Sequence, residues 1–416
     1  MIVRKLRPNE FYKAAVINSV AFEMGSDFEK EKAQQEAMTP EETAGKEKVT
    51  PPENPLPSEY FKRDIWAALS DDEKTVYGCM SVYPYTVRFD GGLCVMGGIG
   101  GVATLPPYRR KGVIRECMRA ALADMDAKGY DFSYLYPFSR AYYRKFGFEN
   151  SYEYREWEVS FDALRDYGSK GSVRMLAKGD DFSVLTELYN RRYADYNLSS
   201  VRREYDPDIT EKNFLADREY AYVWYNEAGE PRGFMIFRNR DGVMVCTPGF
   251  GGKSAFLALD AEAYMGLFDF ARMFAPRCHA IRFCESADIN LHAIFGEGNA
   301  VSCRLYTPGM SRVISVRRVL EKCRCRGEGE LNIHIEDPTA PWNDGTWKLR
   351  YGAENTVEST ADPADISMTA NAFSAMISGH IGFADLTFVP GAKVLNEAAP
   401  LGDVFYKKKS VVLDLF

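Results

Sequence analysis

The run GGIGGVATLPPYRRKGVIRECMRAAL, residues 97–122, limits the fold of this chain more than any other stretch. Its glycine-laced, β-branched start reads as a strand ending near Thr104. Pro106 and Pro107 lack an N–H and cannot continue a ladder, so the strand must stop and leave its neighbour. Gly112 allows close backbone approach. Val113, Cys117, Ala120, Ala121 and Met125 then recur at helical spacing until Gly129. The first turn of such a helix has unsatisfied N–H groups and the positive end of the dipole. Arg109, Arg110 and Lys111 add charge at that end. Strand, turn and helix start together suit a pyrophosphate. A basic helix entrance that binds nothing is the other reading this element permits by itself.

The flanks read in the same terms. Ile2–Leu6 is a strand and Glu10 to Phe22 a helix. Residues 23–58 are charged and proline-bearing, a solvated insertion or a flap over a pocket. TVYGCMSVYPYTVRFDGGLCVMGGIGGVAT reads as a hairpin turning at Asp90-Gly91-Gly92. DFSYLYPF is a strand stopped by Pro137. SRAYYRKFGF is a short helix capped by Ser139, followed by a strand to about Val159.

A second block repeats this order from about residue 172, with turns at Glu227–Gly229 and Arg240–Gly242 and a helix from about Leu259 to Phe274, but without RRKG. A weak internal duplication is expected. The third block holds a helix in VISVRRVLEKC, strands in GELNIHIED and GTWKLRYG, a turn and helix over 357–379, and a last strand in VFYKKKSVVLDLF. It reads as a small α+β domain.

The 416 residues allow several domains. A net charge of −7 opposes a general nucleic-acid binder, which needs a basic surface. The opening MIVRKLRPNEFYKAAVINSV does not read as a signal peptide, and no segment reads as a membrane span. Most of the nine cysteines fall inside apolar patterns, as reduced packing residues do. Cys323-Arg324-Cys325 has the wrong spacing for a zinc half-site, so no metal is expected. A cytoplasmic location is expected.

The order of elements around residue 112 resembles the GNAT acetyltransferase superfamily, whose acetyl-CoA loop reads R/Q-x-x-G-x-G/A. Arg109-x-x-Gly112-x-Ile114 matches it, with Ile114 departing from the small third residue. That departure fits one branch, the three-domain Eis-type (enhanced intracellular survival) N-acetyltransferases. Their Y-x-x-F-G stretch is matched by Tyr143-Arg144-Lys145-Phe146-Gly147. The resemblance is specific at 97–148 and rests on order and length beyond about 160. It implies an α/β fold of mixed sheets: tandem GNAT folds followed by a sterol-carrier-protein-like α+β domain. The division would be a catalytic domain over 1–155, a degenerate second copy over 156–305 and the third domain over 306–416.

The resemblance also implies roles. The backbone of Val102, Ala103 and Thr104 would pair with the pantetheine arm of acetyl-CoA. Arg110, Lys111, Gly112, Val113, Ile114 and Arg115 would hold its pyrophosphate. Phe138 and Ser139 would line the far side of the arm. Tyr143 would be the general acid for the departing thiolate, although Tyr142 is equally entitled on residue type alone. Residues 93–115 contain no Asp, Glu or His, so the strand where many acetyltransferases carry a base offers none. The resemblance implies that the carboxylate of Phe416 takes that part, with Asp414 as the nearby alternative; a terminal strand pairing in its own domain is the plainer reading. The acceptor would be a small cationic amine, of aminoglycoside or polyamine type, with Asp27 and its neighbours favouring it. The assembly would be a homo-oligomer, a hexamer.

Other readings remain. CTPGFGGKS resembles a phosphate-binding loop, but Thr247 stands where that pattern needs glycine. A lipid- or CoA-binding protein without acyl transfer, and a peptide or protein lysine Nε-acetyltransferase, are the alternatives.

Overall fold

The computed structural model describes residues 1–25, 28–39, 54–177, 179–203, 220–246, 255–295 and 298–414. These form two compact units. One joins residues 1–151 to 309–408, and the other joins 152–308 to 409–414.

The first unit opens with β1 (Ile2–Lys5), α1 (Phe11–Phe22) and α2 (Phe28–Glu36), then β2 (Asp64–Leu69), β3 (Val76–Phe89) and β4 (Gly92–Thr104). The hairpin of β3 and β4 turns on two residues, Asp90 at φ 50° and Gly91 at φ 89°. Positive φ at both positions matches the twist of the flanking strands. Then come α3 (Val113–Ala127), β5 (Phe132–Leu135), α4 (Arg140–Arg144) and β6 (Glu149–Asn150). Helix α3 buries Val113, Ile114, Cys117, Met118, Ala121, Leu122 and Met125 against the sheet. It ends before Gly129, whose φ is 81°.

The second unit contains β7 (Tyr154–Ser160), β8 (Ser172–Met175), α5 (Ser183–Arg192), β9 (Tyr220–Tyr225), β10 (Pro231–Arg240), β11 (Val243–Cys246), β12 (Phe256–Ala258), α6 (Ala261–Arg272), β13 (Ala280–Ser286) and β14 (Val301–Tyr306). Its sheet runs β14-β7-β13-β11-β10-β9-β8, with β12 beside β10. The phosphate-loop-like stretch after Cys246, residues 247–254, lies outside the described residues.

The chain then returns to the first unit as β15 (Met310–Val313), α7 (Val316–Lys322), β16 (Gly329–Glu336), β17 (Gly345–Tyr351), β18 (Thr356–Ser359), β19 (Ile366–Thr369), α8 (Ala370–Ile377), β20 (Ala392–Val394) and α9 (Leu401–Val404). A five-stranded sheet runs β18-β17-β16-β19-β20, and the seven-stranded first sheet runs β1-β2-β3-β4-β5-β15-β6. The segment VISVRRVLEKC is therefore helical only from Val316, because Met310–Val313 pairs with β5 and β6. The turn before α8 also carries β18 and β19. Among the described residues the last apolar segment forms no strand: Leu401–Val404 is helical and only Ser410 makes a bridge, to Asn197. Val411 and Val412 are buried without a ladder.

The two large sheets share one plan. In each, a hairpin closing on Asp-Gly with both φ positive precedes a parallel pair, β4 with β5 and β11 with β13. In each, a long helix joins the parallel strands. An antiparallel strand from elsewhere in the chain then separates the pair from the next strand, β15 in the first sheet and β7 in the second. This repeat supports the expected duplication, and mixed α/β sheets followed by a small α+β layer are the fold class.

Candidate active site

Strand β4 pairs with β5 only over Met96–Ile99. Beyond Ile99 it stays paired with β3 alone, up to Thr104. A bulge sits in this free stretch, where Gly101 and Val102 together oppose Met80, with Gly101 at φ 57°. Bulges twist a strand and often lie beside active sites. Among the described residues, the stretch Gly100–Thr104 thus has one edge without a strand partner, where an extended ligand arm could pair.

After Thr104 the prolines form a short 3-10 turn, Pro106–Tyr108. Arg110 sits at φ 63° and Gly112 at φ 79°, so the chain reverses sharply into α3. No side chain caps that helix start, and its first intrahelical bond is from Glu116 N to Gly112 O at 3.1 Å. The amides of Val113, Ile114 and Arg115 are left for an acceptor from outside.

A cleft of about 420 Å³ opens there. Thr104, Tyr108, Arg110, Gly112, Val113, Ile114 and Arg115 line it, with Arg119, Tyr142, Lys145, Phe146 and Thr339 opposite. Four of these residues are cations and none is a carboxylate. Arg115 and Arg119 share Glu116 at 2.8 and 3.7 Å. Among the described residues, Arg110 and Lys145 have no acidic partner. Free helix-start amides amid excess cation fit a diphosphate, as the chemistry of CoA requires.

The structure brings Thr104, Arg110, Gly112, Val113, Ile114 and Arg115 into this one cleft. Lys111 lies outside it, its ammonium 5.5 Å from the Tyr108 ring. Val102 and Ala103 lie on the partnerless stretch of β4, and Ala103 is buried. Ile114 turns its side chain into the core beside Tyr143 and Phe146, so its bulk is absorbed. Phe138 is 74% exposed, with its ring 5.3 Å from Tyr142 and 5.4 Å from Tyr143. Ser139 spends its hydroxyl on capping α4, accepting from Tyr142 N at 3.3 Å.

Tyr143 is a buried member of the core and Tyr142 lines the cleft. Burial raises both phenols above their ordinary range, so both stay protonated at neutral pH. Burial also pushes the Cys117 thiol up to about 12, which removes it as a nucleophile. Phe416, like Asp27 and the phosphate-like loop, lies outside the described residues. Asp414 is engaged within its own unit, accepting from Arg202 at 3.1 Å and from the Ser200 hydroxyl. Among the described residues no group of three or more metal-ligating side chains converges, and no helix is long and apolar enough to cross a membrane.

Sequence reasoning did not find Tyr108, Arg119, Lys145, Phe146 or Thr339 as lining residues. Arg119 was accessible to it, one turn beyond Arg115 on the same helical face. Thr339 was not: it comes from the loop after β16, and its hydroxyl donates to Lys145 O at 3.3 Å.

Comparison with known proteins gives a consistent picture. Residues 3–151 match the acetyltransferase (GNAT) domain family and residues 316–411 the sterol carrier protein domain family. The chain is similar to an "uncharacterized N-acetyltransferase" of Streptomyces avermitilis, 20% identical over 78% of this chain and 84% of that one. Its fold is similar to that of a probable N-acyltransferase from Enterococcus faecalis, with a TM-score of 0.80, 20% identity and coverage of 100% and 99% of the two chains. Eis1 from Mycobacterium abscessus shares the fold at a TM-score of 0.74 and 15% identity, over 100% of both chains.

Proposed function

We propose, from the premise that this chain is an acyltransferase with a GNAT-type N-acetyltransferase domain, that it acetylates primary amines of small cationic molecules, of aminoglycoside or polyamine type. The observation that carries the reading is the junction of β4 and α3. A strand that leaves its neighbour runs directly into a glycine-started helix whose amides face a cationic cleft. Acetyl-CoA supplies the acyl group as an activated thioester.

The residues then divide the work. The amides of Val113, Ile114 and Arg115 and the charge of Arg110 hold the diphosphate, and Lys111, outside the cleft, adds to the positive charge at the helix start. Backbone groups of Val102, Ala103 and Thr104 orient the pantetheine arm and donate to the carbonyl oxygen as it gains charge. Phe138 and Ser139 border the arm. Tyr143 holds a proton at its hydroxyl, raised by burial, and delivers it to the departing sulfur. The acceptor amine, with a pKa of about 10, must lose a proton before it attacks. The carboxylate of Phe416 takes that proton through water, since residues 93–115 offer no base. With Cys117 buried and protonated, transfer is direct.

The Eis-type assignment, a cytoplasmic hexamer, and a division into domains at 1–155, 156–305 and 306–416 belong to the same proposal. The chain-long likeness in fold to Eis1 supports it.

The test is release of free thiol from acetyl-CoA against a panel of amines. Thiol release that depends on a polyamine or aminoglycoside supports the proposal. A lysine peptide as the only acceptor would replace the small amine while keeping the donor site. Absence of thiol release with every amine, together with lipid binding, would overturn it.

A further inference from the structure

The pair Cys323 and Cys325 plays no part in the acyl-transfer chemistry. Their sulfurs lie 3.7 Å apart at the end of α7. Cys323 is buried and its thiol donates to Leu320 O at 3.2 Å, while Cys325 is half-exposed. Asn355 Nδ2 braces the buried member, donating to Cys323 O at 2.7 Å and Leu320 O at 2.9 Å.

Arg324 between them is held on both sides of its backbone. Its N–H donates to Asp90 at 2.8 Å, and its carbonyl accepts from the Tyr406 hydroxyl at 3.1 Å and Lys408 Nζ at 3.4 Å. Lys408 and Asp90 also pair at 2.6 Å, both buried. The dithiol therefore sits at the knot where the β3–β4 turn meets the tail of the first unit.

We propose that Cys323 and Cys325 are a redox-active dithiol that closes to an intramolecular disulfide by exchange with small-molecule disulfides. Residues two apart keep their Cα atoms within about 7 Å of each other, close to the reach of a disulfide. The sulfurs need only close from 3.7 Å to about 2.05 Å. Cys325 is the entry point because it is the accessible member. The Cys323 thiol beside it holds its thiol below the ordinary range against the cost of burial, and Lys408 adds to the effect.

The exchange balances in two steps. The Cys325 thiolate attacks one sulfur of the small disulfide, breaks its S–S bond and expels one thiolate. Cys323, giving up its proton as it attacks, then bonds to Cys325 Sγ and expels the second thiolate. The small disulfide leaves as two thiols, carrying the two protons that the protein thiols lose.

The test incubates the full chain in oxidised and reduced glutathione buffers, blocks free thiols with an alkylating agent and maps peptides by mass. The expected product is a peptide that has lost two hydrogens across Cys323 and Cys325, restored by a reducing buffer. Cys303, exposed and distant in sequence, serves as the internal control and should instead form a mixed disulfide. Cys325→Ser should abolish the loss of two hydrogens, while Cys303→Ser should leave it intact. A stable mixed disulfide on Cys325 with Cys323 still free would overturn the proposal, as would full alkylation of both in oxidising buffer.

Discussion

Arg312 and Asp337 form an ion pair that is fully buried within the first unit, and the same guanidinium donates to the carbonyl of Phe146. It also fills the space beneath Gly147, where φ is 80° and an added Cβ would meet Arg312 Nη1 at 2.6 Å. One arginine from β15 therefore fixes the end of the Tyr-x-x-Phe-Gly segment to the loop after β16. Asp337→Ala would leave that charge buried and unpaired, at a cost of about 3–5 kcal/mol. Denaturant unfolding checks this, and Arg312→Met with Asp337→Leu should cost less than either half alone.

Gly112→Ala tests the diphosphate site. The left-handed φ of 79° opposes any side chain there, and Arg115 Nη2, 2.9 Å from the new Cβ, would have to swing aside. Loss of one hydrogen bond to a charged group, about 1.5–3 kcal/mol, predicts a rise of at least tenfold in KM for acetyl-CoA. Steady-state kinetics with kcat close to wild type would fit. An unchanged KM would move the donor elsewhere.

Tyr143→Phe should lower kcat by about a hundredfold, the scale of general acid catalysis, at unchanged KM for acetyl-CoA. Tyr142→Phe should leave turnover near wild type, although Tyr142 lines the cleft. Burial raises the Tyr143 pKa, so protonated acid is lost only above the ordinary tyrosine value of about 10. A pH–rate profile reads this directly. The reverse pattern between the two variants would pass the acid role to Tyr142.

Extending the chain beyond Phe416 should depress kcat far more than thermal stability, because the carboxylate moves while the core is untouched. A full rate in a C-terminally tagged protein would remove Phe416 from the mechanism.

Acid sensitivity should be visible at Glu10. Burial pushes its carboxyl up, but the Arg4 fork at 2.7 and 2.9 Å and the Arg7 amide outweigh that and hold it at about 2. Its folded pKa lies below the unfolded value of about 4.3, so its stabilisation is present above that value and fades as pH falls toward 2. Glu10→Gln should therefore be less stable at pH 7, with the difference from wild type shrinking between pH 4.5 and 2. Thermal unfolding across that range checks the sign.

The sequence by itself determined what depends on neighbours along the chain. The Asp90-Gly91 turn, the helix Val113–Ala127, the Ser139 cap and the glycine that starts α3 all follow from local φ preference, periodicity and capping. Tertiary structure alone decided the rest. Val313 reads as the start of the helix in VISVRRVLEKC yet ends a strand, Met310–Val313, that enters the first sheet between β5 and β6, because strand partners are chosen across the fold. Thr339 reaches the cleft from nearly 200 residues beyond Lys145. The apolar run at Val411 and Val412 is buried without becoming a strand. Periodicity records which side chains avoid water; it does not record which distant surface removes them from it.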